Sequence, residues 1–158
     1  MLQVFEETTK RENAKDFGIK EAEAGTNAVC EALNENSEDT ALNMAMAICL
    51  YQGGRECEVR FYCDRVLEKA PNSVQALYYK GLVFTFQAKN FSEQKDARST
   101  FISYRFADMA RQSFSKVLTL DPDHAEAKIA SMELSEKVSK TLRPLSEDES
   151  RQLAEFKL

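Results

Sequence analysis

Few side chains in this 158-residue chain are equipped for covalent or metal chemistry, and their spacing narrows them further. The single histidine is His124, and the cysteines Cys30, Cys49, Cys57 and Cys63 contain no Cys-x-x-Cys pair. A zinc centre needs tighter clustering of ligands than that. The four thiols read as reduced, buried side chains, since free cysteine packs as a small hydrophobe; a disulfide between Cys57 and Cys63 is the alternative. No Gly-rich phosphate loop and no Ser, His and Asp set stands out, so no nucleophile has an evident base. The carboxylates Glu147, Asp148 and Glu149 follow Ser146, where a helix start would favour negative charge without any catalytic purpose. The expectation is a chain with no enzymatic activity, no metal and no cofactor.

What remains is chemistry of recognition. From Gln87 to Ala110 the chain reads QAKNFSEQKDARSTFISYRFADMA, where Lys89, Lys95, Arg98 and Arg105 outnumber Glu93 and Asp96 and alternate with Phe91, Phe101 and Tyr104. A solvated helix face needs no aromatic residues. Phe91, Arg98, Phe101, Tyr104 and Arg105 are therefore candidate contact residues, with packing on their own helix pair as the competing reading.

The composition bounds the scaffold. Forty-three per cent apolar and 30% charged, with five Gly and three Pro, favours a helical globular domain over a sheet. A formal charge of -5 from interspersed signs argues against nucleic acid. The stretch ALNMAMAICLY is too short to span a bilayer, and MLQVFEETTK lacks the marks of a signal peptide. A cytoplasmic chain is expected.

Apolar periodicity and stop signals predict about eight helices in antiparallel pairs. Helices are expected over 3–17 and 20–33, the latter lining one side with Ala24, Ala28, Cys30 and Ala32. The turn NENSED supplies caps for a helix from Thr40 to Gln52 that is apolar nearly all round and ends at Gly53-Gly54. Glu56 to Ala70 carries Val59, Phe61, Cys63, Val66 and Leu67. Ser73 caps a helix from Val74 to about Ala88. Asp123 caps another reaching about Leu142, and Ser146 with Glu149 opens a short last helix bearing Leu153 and Phe156.

Two segments resemble each other: CDRVLEKAPNSVQALYYKG and SFSKVLTLDPDHAEAKIAS, with Pro71 and Pro122 as equivalent landmarks. Gly81 sits at a small position of a first helix, flanked by Leu77 and Phe84; Ala110, Phe114 and Val117 follow in a second helix before LDP. Asn43 and Ala45, then Val59, Cys63 and Val66, repeat the pattern, and Asn13, Phe17, Gly25, Val29 and Ala32 hold the same offsets. From about Lys10 to Leu142 the chain thus resembles tetratricopeptide repeats, each a helix, turn and helix of about 34 residues. Within that class LNMAMAICL, VQALYYKG and KRENAKDF resemble the repeats of the large immunophilins. The resemblance implies an all-α right-handed solenoid. Its repeats would fall at about 3–36, 38–72 and 73–122, with a capping helix at 123–142 and a short helix within 143–158. The landmark prolines stand 51 residues apart, so the third repeat holds an insertion of about 17 residues. It is expected to extend the second helix backward to near Asp96, or else to form a separate short helix over the groove mouth.

The resemblance also implies a concave groove that binds a peptide or helix of a protein partner. In many co-chaperones basic and asparagine side chains there grip the C-terminal carboxylate of a heat-shock chaperone. Lys10 matches the first basic place, Asn43 the central asparagine, and Asn13 lies one residue from another. The third-repeat basic places fall on Gln75 and Tyr79, so the clamp is degenerate. Lys80 is rotated from Tyr79 by about 100°. Tyr78, Tyr79, Leu82 and Phe86 would give the groove an aromatic wall instead, while Asn43 could equally bridge helices through its amide. The expected function is an interaction adaptor, monomeric or weakly dimeric. The alternatives are a co-chaperone docking heat-shock chaperone tails, or the repeat part of an immunophilin-type prolyl isomerase.

Overall fold

The computed structural model describes residues 20, 21, 23–94, 96–141, 146–148 and 151. Among these residues every regular element is helical: α1 over 23–35, α2 (Thr40–Gln52), α3 (Glu56–Lys69), α4 (Val74–Ser92), α5 (Ala97–Leu120) and α6 (Ala125–Thr141). The chain divides into two compact units, Met1–Tyr79 and Lys80–Leu158.

In the first unit the turn before α2 is held from several directions. Asp39 caps α2 by accepting a hydrogen bond from the Leu42 N–H at 2.9 Å. The Ser37 carbonyl accepts from Asn43 Nδ2 at 3.0 Å and from the Arg65 guanidinium at 2.6 Å, and Lys69 pairs with Glu38. At its other end α2 closes with the Gly53 N–H on the Cys49 carbonyl and the Arg55 N–H on that of Leu50. Between them Gly54 adopts φ 73°, a left-handed conformation that disfavours any side chain.

The uniform apolarity of α2 matches its position. Cys49 faces Gly25 of α1 closely enough that a Cβ there would lie 3.1 Å from its sulfur, and Tyr51 meets Tyr79 of α4. Met44, Met46, Ala47 and Leu50 are buried with Val59, Cys63 and Val66 of α3.

Three expectations for this unit need correction. On α1 the sheltered side is Gly25, Val29, Ala32 and Leu33, whereas Ala24, Ala28 and Cys30 are exposed. Phe61 is 58% exposed, because residue i+2 of a helix lies about 200° from buried Val59. None of the four cysteines is in a disulfide, but only Cys63 is buried; Cys49 is half-buried, and Cys30 and Cys57 are exposed.

The second unit is built on α5, 24 residues long. Asp96 caps it, accepting from the Ser99 N–H at 2.9 Å, and one continuous helix follows to Leu120. The helix thus begins next to Asp96, and residues 97–120 form one helix, not two. Ser99, Ser103, Phe106, Ala110, Phe114 and Val117 recur at helical spacing on its buried face.

Small residues let α4 and α5 approach closely: Ser103 Oγ donates to the Ala88 carbonyl at 2.6 Å. The Phe106 ring is stacked between Phe84 and Phe91, with centroids at 6.1 and 5.7 Å. That packing carries α4 to Ser92, past the Lys89-Asn90-Phe91 turn signal that predicted an end near Ala88. Fully burying a phenylalanine such as Phe84 or Phe114 contributes roughly 2–3 kcal/mol.

At α6 the cap is His124 and not Asp123: its Nδ1 accepts from the Ala127 N–H at 3.3 Å. The same atom lies 3.3 Å from Glu126 Oε2. Of the expected last helix, residues 147, 148 and 151 are helical, while Glu149, Leu153 and Phe156 lie outside the described residues.

Candidate functional site

Among the described residues no three His, Cys, Asp or Glu side chains are placed to hold a metal ion, and no helix is long and apolar enough to cross a membrane. The residues singled out for recognition are located next.

Lys10 and Asn13 lie outside the described residues. Asn43 is 2% exposed and faces inward. Both hydrogens of its amide are committed, to the Ser37 carbonyl and to the Asp39 carbonyl at 2.7 Å, so none is left for a carboxylate. Its Oδ1 is buried without a partner among the described residues. Placed so, Asn43 shapes the turn that starts α2.

Gln75, Tyr78 and Tyr79 stand on the first turns of α4, within the N-terminal unit. Gln75 is exposed, and the two tyrosines are half-buried. Tyr79 is the centre of an aromatic cluster: its ring meets Tyr51 of α2 at 5.4 Å and 81°, and Tyr78 at 5.6 Å and 77°. Edge-to-face pairs of this kind are favourable beyond the area they bury.

Burial pushes the Tyr79 phenol above the usual tyrosine range, with Cys63 of α3 adding to it. Burial raises Tyr51 as well, helped by the nearby Glu56 carboxylate and by Tyr79. Side chains from α2, α3 and α4 thus converge on one half-sheltered aromatic surface.

Tyr51 was not among the expected residues. It lies eight residues from Asn43, so the helical period alone places it about 80° away on α2, but an all-round apolar helix gives no reason to prefer one face. Lys80 extends along α4, its Nζ 5.9 Å from the centroid of Phe84.

In the second unit Leu82 and Phe86 are half-buried. Phe91 is engaged in the stack on Phe106. Phe101, Tyr104 and Arg105 are half-buried, and Arg98 is exposed. Arg105 Nε is buried without a partner among the described residues. Further along α5, Arg111, Gln112, Ser115, Lys116 and Thr119 line an open groove of about 500 Å³. Arg111 and Gln112 are both held by Asp108 there.

No protein-family model matches the sequence, and no curated protein does. The architecture does have a solved counterpart. The chain is similar to the structure described as the first TPR of Spaghetti (RPAP3) bound to HSP90 peptide SRMEEVD, with a TM-score of 0.59 and 12% identity. The match covers 83% of this chain and 90% of that one.

The fold is that of a tetratricopeptide-repeat domain. In such a domain small and large residues recur at fixed offsets within each helix pair, as they do on the buried faces of α2 and α3 and of α4 and α5. Gly81 shows the principle most sharply: a Cβ there would lie 2.6 Å from the Phe114 ring.

Proposed function

We propose that this tetratricopeptide-repeat chain is a non-catalytic interaction adaptor, and that its N-terminal unit holds an extended segment of a partner protein against the aromatic surface of α2 and α4. The observation that carries this reading is the Tyr51, Tyr79 and Tyr78 cluster, half-buried and mutually braced. Rigid aromatic side chains supply contact area at low entropic cost, which is why they dominate binding interfaces. Gln75 at the edge offers an amide for hydrogen bonding to a peptide backbone. Leu82, Phe86 and the Arg98, Phe101, Tyr104 and Arg105 stretch are further candidate contacts of the second unit. A reducing compartment such as the cytoplasm fits four cysteines of which none is in a disulfide.

Capture from a native extract with wild-type and Tyr79→Ala baits, followed by mass spectrometry, tests the adaptor reading. Partners retained by the wild type and lost by the variant are expected. Equal recovery of the same proteins by both baits would remove the site.

A second reading is favoured by the solved counterpart, which holds a chaperone-derived acidic peptide. Against it stand the committed amide of Asn43 and the absence of a cation at Gln75 and Tyr79. Calorimetry with the peptide SRMEEVD, free or amidated at its C-terminus, decides. We expect no binding at micromolar peptide; micromolar affinity that amidation abolishes would establish the co-chaperone reading instead.

A further inference from the structure

We propose that the Tyr51, Tyr79 and Tyr78 cluster, with Glu56 beside it, is a seat for a cationic side chain, lysine or arginine, carried by the partner segment. This rests on the adaptor reading above and deepens it by naming the partner's chemistry.

Three observations point the same way. The first is geometric. The three rings are inclined at 81° and 77° to one another, and all three residues are half-buried, none lying in the core. The face of an aromatic ring is its negative pole and attracts a cation placed over it.

The second is an uncompensated carboxylate. Glu56 is close enough to raise the Tyr51 phenol, and it has no ion pair among the described residues. Its neighbour Arg55 does not neutralise it, being held by both carboxylate oxygens of Glu58 at 2.7 Å. Lys80, adjacent to Tyr79 in sequence, is drawn over Phe84 instead. A start-of-helix carboxylate needs no partner for stability, since the α3 macrodipole favours it. Beside a cluster of tyrosine rings it also repels an anion and attracts a cation.

The third is the distribution of charge along the chain. Residues 1–79 hold eight basic and fourteen acidic side chains, net -6, whereas residues 80–158 hold thirteen and twelve, net +1. The negative charge belongs wholly to the unit that carries the tyrosines. A field of one sign steers a partner of the opposite sign to the surface and discriminates against like charge. The same arrangement disfavours the acidic tail that a carboxylate clamp would take.

The test uses three acetylated and amidated ten-residue peptides with the same leucine framework and, at two central places, lysine, norleucine or glutamate. Fluorescence anisotropy with the full chain is expected to rank them lysine, norleucine, glutamate, with about tenfold or more between the first and last. Glu56→Gln is expected to weaken the lysine peptide about fivefold and leave the norleucine peptide unchanged. Tyr79→Leu, which keeps bulk and removes the ring face, weakens the lysine peptide by a similar factor. Glu68→Gln makes the same change in net charge at an exposed position about 18 Å further along α3, and is expected to have no effect.

If norleucine binds as tightly as lysine, the seat is an apolar anchor and the cationic inference falls while the adaptor reading stands. If Glu68→Gln weakens binding as much as Glu56→Gln, long-range attraction replaces the seat. If none of the peptides binds, the seat is overturned, and the capture experiment with Tyr79→Ala judges the adaptor reading separately.

Discussion

Replacing Gly81 by alanine should destabilise the second unit although alanine is the better helix former. A Cβ at position 81 would lie 2.6 Å from Phe114 Cε1 and 2.9 Å from Cδ1 and Cζ, well inside contact distance. Phe114 is 0% exposed, so its ring is enclosed by other side chains, and protein interiors are close-packed. Relief requires either a shift of α4 against α5 or an off-rotamer ring, and overpacking of this kind costs about 2–3 kcal/mol. The helical preference of alanine over glycine returns about 1 kcal/mol. The net expectation is a loss of about 1–2 kcal/mol, read as a fall in the urea midpoint by circular dichroism at unchanged slope. The decisive measurement is the same substitution in a Phe114→Leu background. There the clash is gone and only the helical term is left, so Gly81→Ala should become neutral or stabilising by up to about 1 kcal/mol. An equal cost in both backgrounds would show that the contact with Phe114 is not the reason position 81 is glycine.

Four further outcomes follow from the hydrogen-bond geometry. Asn43→Ala should cost about 1–2 kcal/mol in thermal or urea unfolding, because the Asp39 and Ser37 carbonyls keep the Asn43 N–H and Arg65 as partners. Asn43→Asp sets a buried carboxylate against two carbonyl oxygens and should cost on the order of 3 kcal/mol or more. Ser103→Ala removes the donor to Ala88 and should cost about 1 kcal/mol, with amide exchange in the first turns of α5 accelerating before that of its last turns. The Asp96 carboxylate is held below the usual aspartate range by the Ser99 hydroxyl and N–H. Its contribution is therefore present above the unfolded value of about 4 and is lost as pH falls through the lower folded value. Exchange at the Ser99 amide should rise, relative to its intrinsic rate, in that acidic window and not in Asp96→Asn.

The parts of the fold that could be read from the sequence are those governed by local chemistry. Asp39, Ser73 and Asp96 sit where a side-chain oxygen can reach an orphan N–H. Gly53-Gly54 ends α2 because only a residue free at positive φ turns there without strain. The misplaced end of α4 has a tertiary cause. Phe91 sits in a stretch with turn chemistry, yet stacking on Phe106 keeps it helical. The step from Asp123 to His124 as the cap of α6 lies within the one or two residues by which local signals generally leave a helix start undetermined.

The aromatic surface was legible only in half. Tyr78 and Tyr79 announce themselves as adjacent large rings on a helix whose buried side is set by Ala76, Leu77, Val83 and Phe84, so the pair must straddle the boundary between core and solvent. Tyr51 gives no such signal. Its neighbours on α2 are apolar on every side, and the partner that singles it out stands 28 positions later. The same holds for Glu56, which reads as an ordinary first-turn carboxylate until its distance from a tyrosine ring matters. A binding surface assembled from three helices is specified by which residues the packing brings together, and packing depends on sums over many weak contacts. The electrostatic sign of that surface is different in kind. It follows from counting charges over 1–79 and 80–158 and is independent of every rotamer, so a measured preference for a cationic peptide would trace to composition, and its loss in Glu56→Gln alone would trace to place.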